Sequence, residues 1–279
     1  MAKKIFSAPL LLLLLVFFGN SCKKIVTNIK LPSNPKLVVS CFISPQDTMK
    51  SVRLSYSTPL FSNNNNNTAP PPVVDATVVI SNGNNSATIP VGANFNTYQL
   101  PTGAFPIIAG QTYSLSIATT KGEKVSASCR VPLSNIASLD VDRKDSTPII
   151  TTYTTRWNDI PNETNYYRLY YLITHNDSNI NSSGSSFWDY NEINLFNDNK
   201  KDGKEFVIKR IYSYDVNDTT KRYFHAFVMN IDVEYYRYQY SLEHNTGYDP
   251  FSEPSPIYTN IKNGLGIFAA YQKKYKRIP

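Results

Sequence analysis

The sequence predicts a mainly β protein of two domains. An immunoglobulin-like β-sandwich is expected over residues 36–132, and a second β-rich, fibronectin-III-like domain over 133–279, with one helix near residues 233–244. Three observations point there. The chain holds 20 tyrosines and 14 phenylalanines in 279 residues, and aromatic and β-branched side chains favour pleated, half-buried surfaces. From Lys36 onward, short stretches of alternating apolar and polar residues are separated by turn signals, as in a sandwich. A single segment, VEYYRYQYSLEHN after Asp232, breaks that alternation.

The chain opens with MAKKIFSAPLLLLLLVFFGNSC. Lys3 and Lys4 make a positive start, Leu10 to Phe18 is an unbroken apolar run, and Gly19-Asn20-Ser21 leads into Cys22. Crossing a bilayer takes roughly 20 apolar residues, so this shorter run reads as an export signal over residues 1–21. A cysteine at the cleavage point resembles the bacterial lipoprotein signal, in which the thiol is acylated and becomes the new N-terminus. Cys22 is therefore the expected lipid anchor to a membrane. Residues 22–35, with two prolines and no apolar periodicity, read as a tether.

In the first domain, LVVSCFIS is the opening strand, and SVRLSYSTPL follows with Val52, Leu54 and Tyr56 alternating against polar neighbours. The Asn63–Asn67 and Pro70–Pro72 runs form a low-complexity loop. ATVVIS turns through Asn82-Gly83-Asn84 into SATIPV. Tyr113, Leu115 and Ile117 alternate in QTYSLSIAT, and KVSASCRVP closes the unit at Pro132. About seven strands in about a hundred residues suit an immunoglobulin-like sandwich.

LSNIASLDVDRKD reads as the link to the second domain. There TTYTTRWND offers Trp157 as a core anchor, resembling the buried tryptophan of fibronectin type III domains. NYYRLYYLIT, WDYNEINLFND, KEFVIKRIYSYD and YFHAFVMNI are the strands that follow. Asp232 is a good helix N-cap. Val233, Tyr236 and Tyr240 then share one face of about three turns, with Gly247 and Pro250 beyond the end. Gly264 and Gly266, flanking Leu265, serve backbone needs that a side chain would obstruct.

Cys41 and Cys129 lie in strands at opposite ends of the first domain. In an oxidising compartment an even pair is a disulfide candidate; the alternative is two separate buried thiols. No catalytic residue is expected. His175, His225 and His244 sit in separate elements with no metal-ligand spacing, and G-x-S-x-G, phosphate-loop and dinucleotide motifs are all missing. Asp198, Lys200, Asp202 and Gly203 imitate a calcium loop poorly, with a cation at the third ligand position and Lys209 in place of the closing glutamate. They read as a turn, so no metal and no cofactor are expected. Trp188 and Tyr190, beside a Ser/Gly-rich loop, are candidate ligand-contact aromatics that could stack on a sugar ring or cap a core.

The formal charge of +7 loses Lys3 and Lys4 with the signal, which holds no acid. Apart from Lys273, Lys274, Lys276 and Arg277, the cations are scattered. A nucleic-acid binder concentrates them in a stripe, so nucleic acid is not an expected partner.

Several strings in order resemble one family. They are LVVSCFISP, VVDATVVISNG, GQTYSLSIATTKGEKVSASCRVP, RWNDIPNETNYYRL and the closing DPFSEPSPIYTNIKNGLGIFAAY. The chain resembles a lipoprotein family of Bacteroidota catalogued as domain of unknown function 4249. That resemblance implies an outer-membrane lipoprotein, often found beside TonB-dependent transporters, and carries over no catalytic residue. Lys23-Lys24-Ile25-Val26 stand where surface-exported lipoproteins often carry acids, which leaves the periplasmic and cell-surface faces both open. The expected function is a non-enzymatic binding or accessory subunit tethered at the outer membrane, with a TonB-dependent transporter as partner and a glycan or peptide as ligand. The alternatives are an adhesive or structural surface protein, and a hydrolase with its site at the domain junction.

Overall fold

The computed structural model describes residues 34–58, 72–93, 97–147, 149–175, 186–188, 194–213, 222–245 and 256–278, the segment 186–188 by its backbone. Cys22, the signal, most of the tether, the Asn run, Tyr190 and the side chain of Trp188 lie outside them. The described residues form a mainly β protein of three sheets and one α-helix.

Strands β1 (Leu37–Ile43), β2 (Met49–Tyr56), β3 (Thr77–Ser81), β4 (Ser86–Thr88), β5 (Tyr98–Pro101), β6 (Thr112–Ala118) and β7 (Lys124–Arg130) fill the first half. β8 (Asp140–Thr147), β9 (Ile150–Asn158), β10 (Tyr166–His175), β11 (Ser186–Trp188), β12 (Leu195–Asn197), β13 (Glu205–Ser213) and β14 (Arg222–Ile231) follow. Helix α1 (Val233–Glu243) and β15 (Leu265–Ile278) complete the fold. β8 begins inside the segment read as a plain link. Of its eight residues only Val141 is buried, so no alternation marks it, and pairing with β9 makes it a strand.

An eight-stranded sheet runs β11-β10-β14-β15-β1-β2-β5, with β12 also on β10. A four-stranded sheet, β4-β3-β6-β7, and a three-stranded sheet, β13-β9-β8, accompany it. β15 pairs antiparallel with β14 and parallel with β1. A boundary at residue 132 assigns β15 to the second half alone. The structure corrects that: β15 contributes Phe268 and Ala270 to the first core and Ile278 to the second.

Period-two alternation decides which side chains enter these cores. Leu37, Val39, Cys41 and Ile43 of β1 point at Val78 and Ile80 of β3, Leu115 and Ile117 of β6 and Val125 of β7. Each such aliphatic side chain contributes about 1.5–3 kcal/mol on full burial. The second core holds Tyr167, Leu169, Tyr171 and Ile173 of β10 with Phe224, Ala226 and Val228 of β14, packed on Trp157 and Phe206. Trp157 is 1% exposed and stacks on Phe206 at 4.9 Å and 3°.

Gly266 shows why β15 can lie beside β1. Its φ is +100°, and a Cβ there would fall 1.9 Å from the carbonyl oxygen of Val39, its register partner. Asn260 fastens the entrance of the strand. Its amide donates to the carbonyls of Phe268 and Ser128 at 2.7 and 3.1 Å and accepts from the Phe268 N–H at 3.0 Å.

Helix α1 packs on the opposite face of the long sheet, over Met229, Ile231, Ile267 and Ala269. Asp232 caps it as expected, accepting from the Tyr235 N–H at 2.8 Å. The buried residue is Tyr235, however, and Tyr240 of the predicted stripe is 46% exposed. The helix seats its one buried ring on Phe42, 4.7 Å away.

Candidate functional site

Two buried amides of the long sheet hold the chain that passes from the first sandwich to the second. Gln272 donates to the Pro132 carbonyl at 2.7 Å, and Asn230 donates to the Ser134 carbonyl at 3.0 Å. Both are buried, each with a donor satisfied. Between this crossing, the β9–β10 loop and the β14–α1 junction opens a cleft of about 530 Å³. That lies within the range of roughly 300–1,000 Å³ typical of ligand sites.

One wall is the end of β7 and the crossing, including Cys129, Arg130 and Leu133. A second is the turn into β10, with Glu163 and Asn165; the third is Asn230 through Glu234. Glu163 accepts from the Ser134 hydroxyl at 2.7 Å, and Glu234 accepts from the hydroxyl of Tyr258. Asp232 is buried, with one oxygen accepting from Tyr235 N–H and the other from Ala270 N–H at 3.0 Å. Burial pushes its carboxyl up to about 8, although these N–H groups and that of Arg130 oppose the shift. Arg130 directs Nε to the Gly110 carbonyl at 3.2 Å. Asn165 is 3% exposed, and its Oδ1 has no hydrogen-bond partner.

The cleft is not where the sequence pointed. Trp188 and Tyr190 have no described side-chain position, so sugar stacking at those two residues lies outside the described residues. Glu163 and Asn165 lie in the string RWNDIPNETNYYRL, which carries part of the family resemblance but gave them no site role, and Asp232 was read as a cap and not as part of a wall. Cys129 does border the cleft, and of the two readings of the cysteine pair the structure has the second: Cys41 and Cys129 are buried free thiols. Each packs into the first core as a small apolar side chain. Burial pushes the Cys41 thiol up to about 12, against the pull of Lys50, and pushes Cys129 well above its usual value, aided by Asp232. Thiols so held are poor nucleophiles.

His225 is fully buried on the opposite face, between the Thr174 hydroxyl at 3.0 Å and the Tyr275 hydroxyl at 2.8 Å. Burial, then Arg277, lowers its basicity. His244 ends helix α1, stacked on Tyr240 at 3.8 Å. The calcium-like segment is a turn whose carboxylates face backbone: Asp198 accepts from Asn165 N–H and Asp202 from Asn162 N–H, each at 2.8 Å. Among the described residues, no three His, Cys, Asp or Glu side chains are grouped to hold a metal. No helix among them is long and apolar enough to cross a membrane.

The family model described as "Domain of unknown function (DUF4249)" matches residues 23–277. No curated protein sequence matches the chain. Among solved structures, the chain is similar to a two-fibronectin-type-III segment of chicken tenascin, at 15% identity and a TM-score of 0.20, over 72% of this chain and 91% of that one. It is also similar to chitinase ChiA74 from Bacillus thuringiensis, at 12% identity and a TM-score of 0.21, over 69% of this chain and 30% of that one.

Proposed function

The chain belongs to the DUF4249 family, and from that footing we propose that it is a lipid-anchored, non-enzymatic binding or accessory subunit of the outer membrane. Its partner would be a membrane component such as a TonB-dependent transporter. The observation that carries the binding role is the junction cleft, whose three acidic side chains already accept bonds from the fold's own hydroxyl and N–H donors. Acids tied down in this way favour a recognition wall over a reacting pair.

The anchor is supported by the basic start, the short apolar run and Cys22. The family match begins one residue after that cysteine. Acyl chains add about 0.8 kcal/mol per buried CH₂, and tethering raises the local concentration of the cleft beside a partner. Weak contacts then suffice.

Solubilisation of outer membranes in mild detergent tests this reading. An acylated N-terminal peptide beginning at Cys22 and co-elution with a transporter-sized protein are expected. Recovery alone, or membrane retention of Cys22→Ala without any acylated peptide, would refute it. A hydrolase reading draws on the same three acids, one of them held near 8 by burial. Turnover of a glycan or peptide that Glu163→Gln abolishes would replace the binding role with that one.

A further inference from the structure

We propose that the end of the first sandwich at which the chain enters the fold rests on anionic lipid headgroups, with Lys36, Lys121, Lys124 and Lys262 as its contacts. This depends on the reading that the chain is held at a membrane, and it names the face that the membrane meets.

Strand pairing gathers the four lysines. Lys36 precedes β1, and it is tied to Ser57 beyond the end of β2: the Ser57 N–H donates to the Lys36 carbonyl at 2.9 Å, and the Lys36 N–H to the Ser57 hydroxyl at 3.0 Å. The end of β6 lies beside the starts of β3 and β7, with Ala118 opposite both Thr77 and Lys124. Lys121, in the β6–β7 turn, holds Nζ 4.5 Å from the centre of the Tyr56 ring, which joins that turn to the end of β2. Lys262 exchanges backbone hydrogen bonds with Ser126 of β7 at 2.8 and 3.4 Å. All four side chains are exposed, and among the described residues none of them is in an ion pair.

The two acids of this end are turned to the fold instead. Glu123 accepts from the hydroxyls of Tyr56 and Thr119 at 2.5 and 3.1 Å, and Asp75 accepts from the hydroxyl of Thr120. Residues 22–35, which lead into Lys36, add Lys23, Lys24 and Lys30 and no acid. Outside the signal, the remaining cations and acids of the chain are equal in number. The excess positive charge therefore belongs to this end and to the segment that enters it.

A second observation suits a phosphate in particular. Beside Lys124 lies a cleft of about 320 Å³, lined by the exposed hydroxyls of Thr77, Ser116 and Ser126 and by Asn263, with no carboxylate in its wall. An ammonium, hydroxyls and an amide are all donors, and bonds from a cation to phosphate oxygens are among the strong ones. A membrane surface attracts each lysine only within about a Debye length, so a cluster at one end sets an orientation that scattered charge does not.

Vesicle flotation tests this with the chain from residue 22 carrying Cys22→Ala, so that no acyl group contributes. Binding to phosphatidylcholine vesicles with about one phosphatidylglycerol in three lipids should exceed binding to phosphatidylcholine alone by more than about tenfold, at about fivefold for each lysine that reaches the surface. Added salt should weaken it. Lys121→Gln with Lys124→Gln should cost roughly tenfold without moving the melting temperature, since both side chains are exposed. The same change at Lys144 and Lys209, exposed on β8 and β13, should leave binding as it was. Equal binding to the two kinds of vesicle, or an equal loss from the two pairs of substitutions, overturns the proposal. So does displacement by inorganic phosphate beyond that by chloride at matched ionic strength, which would make this end a site for a free anion. Neither acyl group nor partner takes part in this assay, so such a result leaves the anchor and the accessory role standing.

Discussion

The two sandwiches share one sheet and fill their interiors differently. The first core is aliphatic: Val39, Ile43, Val52, Leu54, Val78 and Ile80 meet with only scattered rings among them. The second is built of rings, Trp157 on Phe206 and Tyr153 on Phe224 at 3.7 Å and 6°, with Tyr212 edge-on to Phe224 at 5.0 Å. Aliphatic packing draws on buried area and tolerates change of shape. Aromatic pairs add about 0.5–1.5 kcal/mol each, but only at particular separations and tilts. Loss of one ring therefore disturbs its neighbours as well as its own contacts.

The largest effect should come from the strand that belongs to both cores. Gly266→Val places a side chain against the Val39 carbonyl from a left-handed backbone. It should cost more than about 4 kcal/mol. Urea unfolding of a Trp188→Phe chain can be followed at once by Trp157 fluorescence and by labelling of Cys41 and Cys129. Both probes should move together; if only the thiols become reactive, the two cores are separable and the comparison needs redrawing.

Trp157→Ala should cost about 3–5 kcal/mol in the ring-built core, read by the denaturation midpoint. A loss below about 1 kcal/mol would show that the stacked rings relax as freely as methyl groups. Asp232→Ala removes the helix cap and should cost about 0.5–2 kcal/mol. Its pH signature is sharper. The folded carboxyl is raised from 3.8 to about 8, so the folded state holds this proton more tightly than the unfolded chain does. Its stabilising contribution is complete below about pH 4 and is lost as pH rises through 8. The native melting temperature should fall between about pH 4 and 8 and level off above, and the Asp232→Ala slope should be flatter; parallel slopes would remove Asp232 as the cause. Ile80→Val in the aliphatic core should cost only about 0.5–1.5 kcal/mol. A penalty as large as that of Trp157→Ala would erase the distinction between the cores.

Strands whose neighbours alternate in polarity were legible, β1, β2, β6 and β7 above all, and so was α1, because Asp232 and its cap are local. Trp157 as a core residue was legible too. β8 was not, because a strand with only Val141 buried leaves no alternation. The partner of β15 was not, because pairing with β1 depends on a register between distant segments. Gly266 carried the trace of it. The cleft escaped for the same reason: Glu163 and Asn165 come from the turn into β10, Asp232 from the junction of β14 and α1, and they meet only after the long sheet forms. The cysteine strands were placed correctly, but strand placement says nothing about whether two sulfurs face each other closely enough to bond.

The parallel pairing of β15 with β1 also sets the order in which the molecule can be completed. Until Leu265–Ile278 has been synthesised, β1 and β14 each present an open edge where that strand belongs, and neither interior has its full complement of side chains. Both cores would therefore be completed together, in one late step.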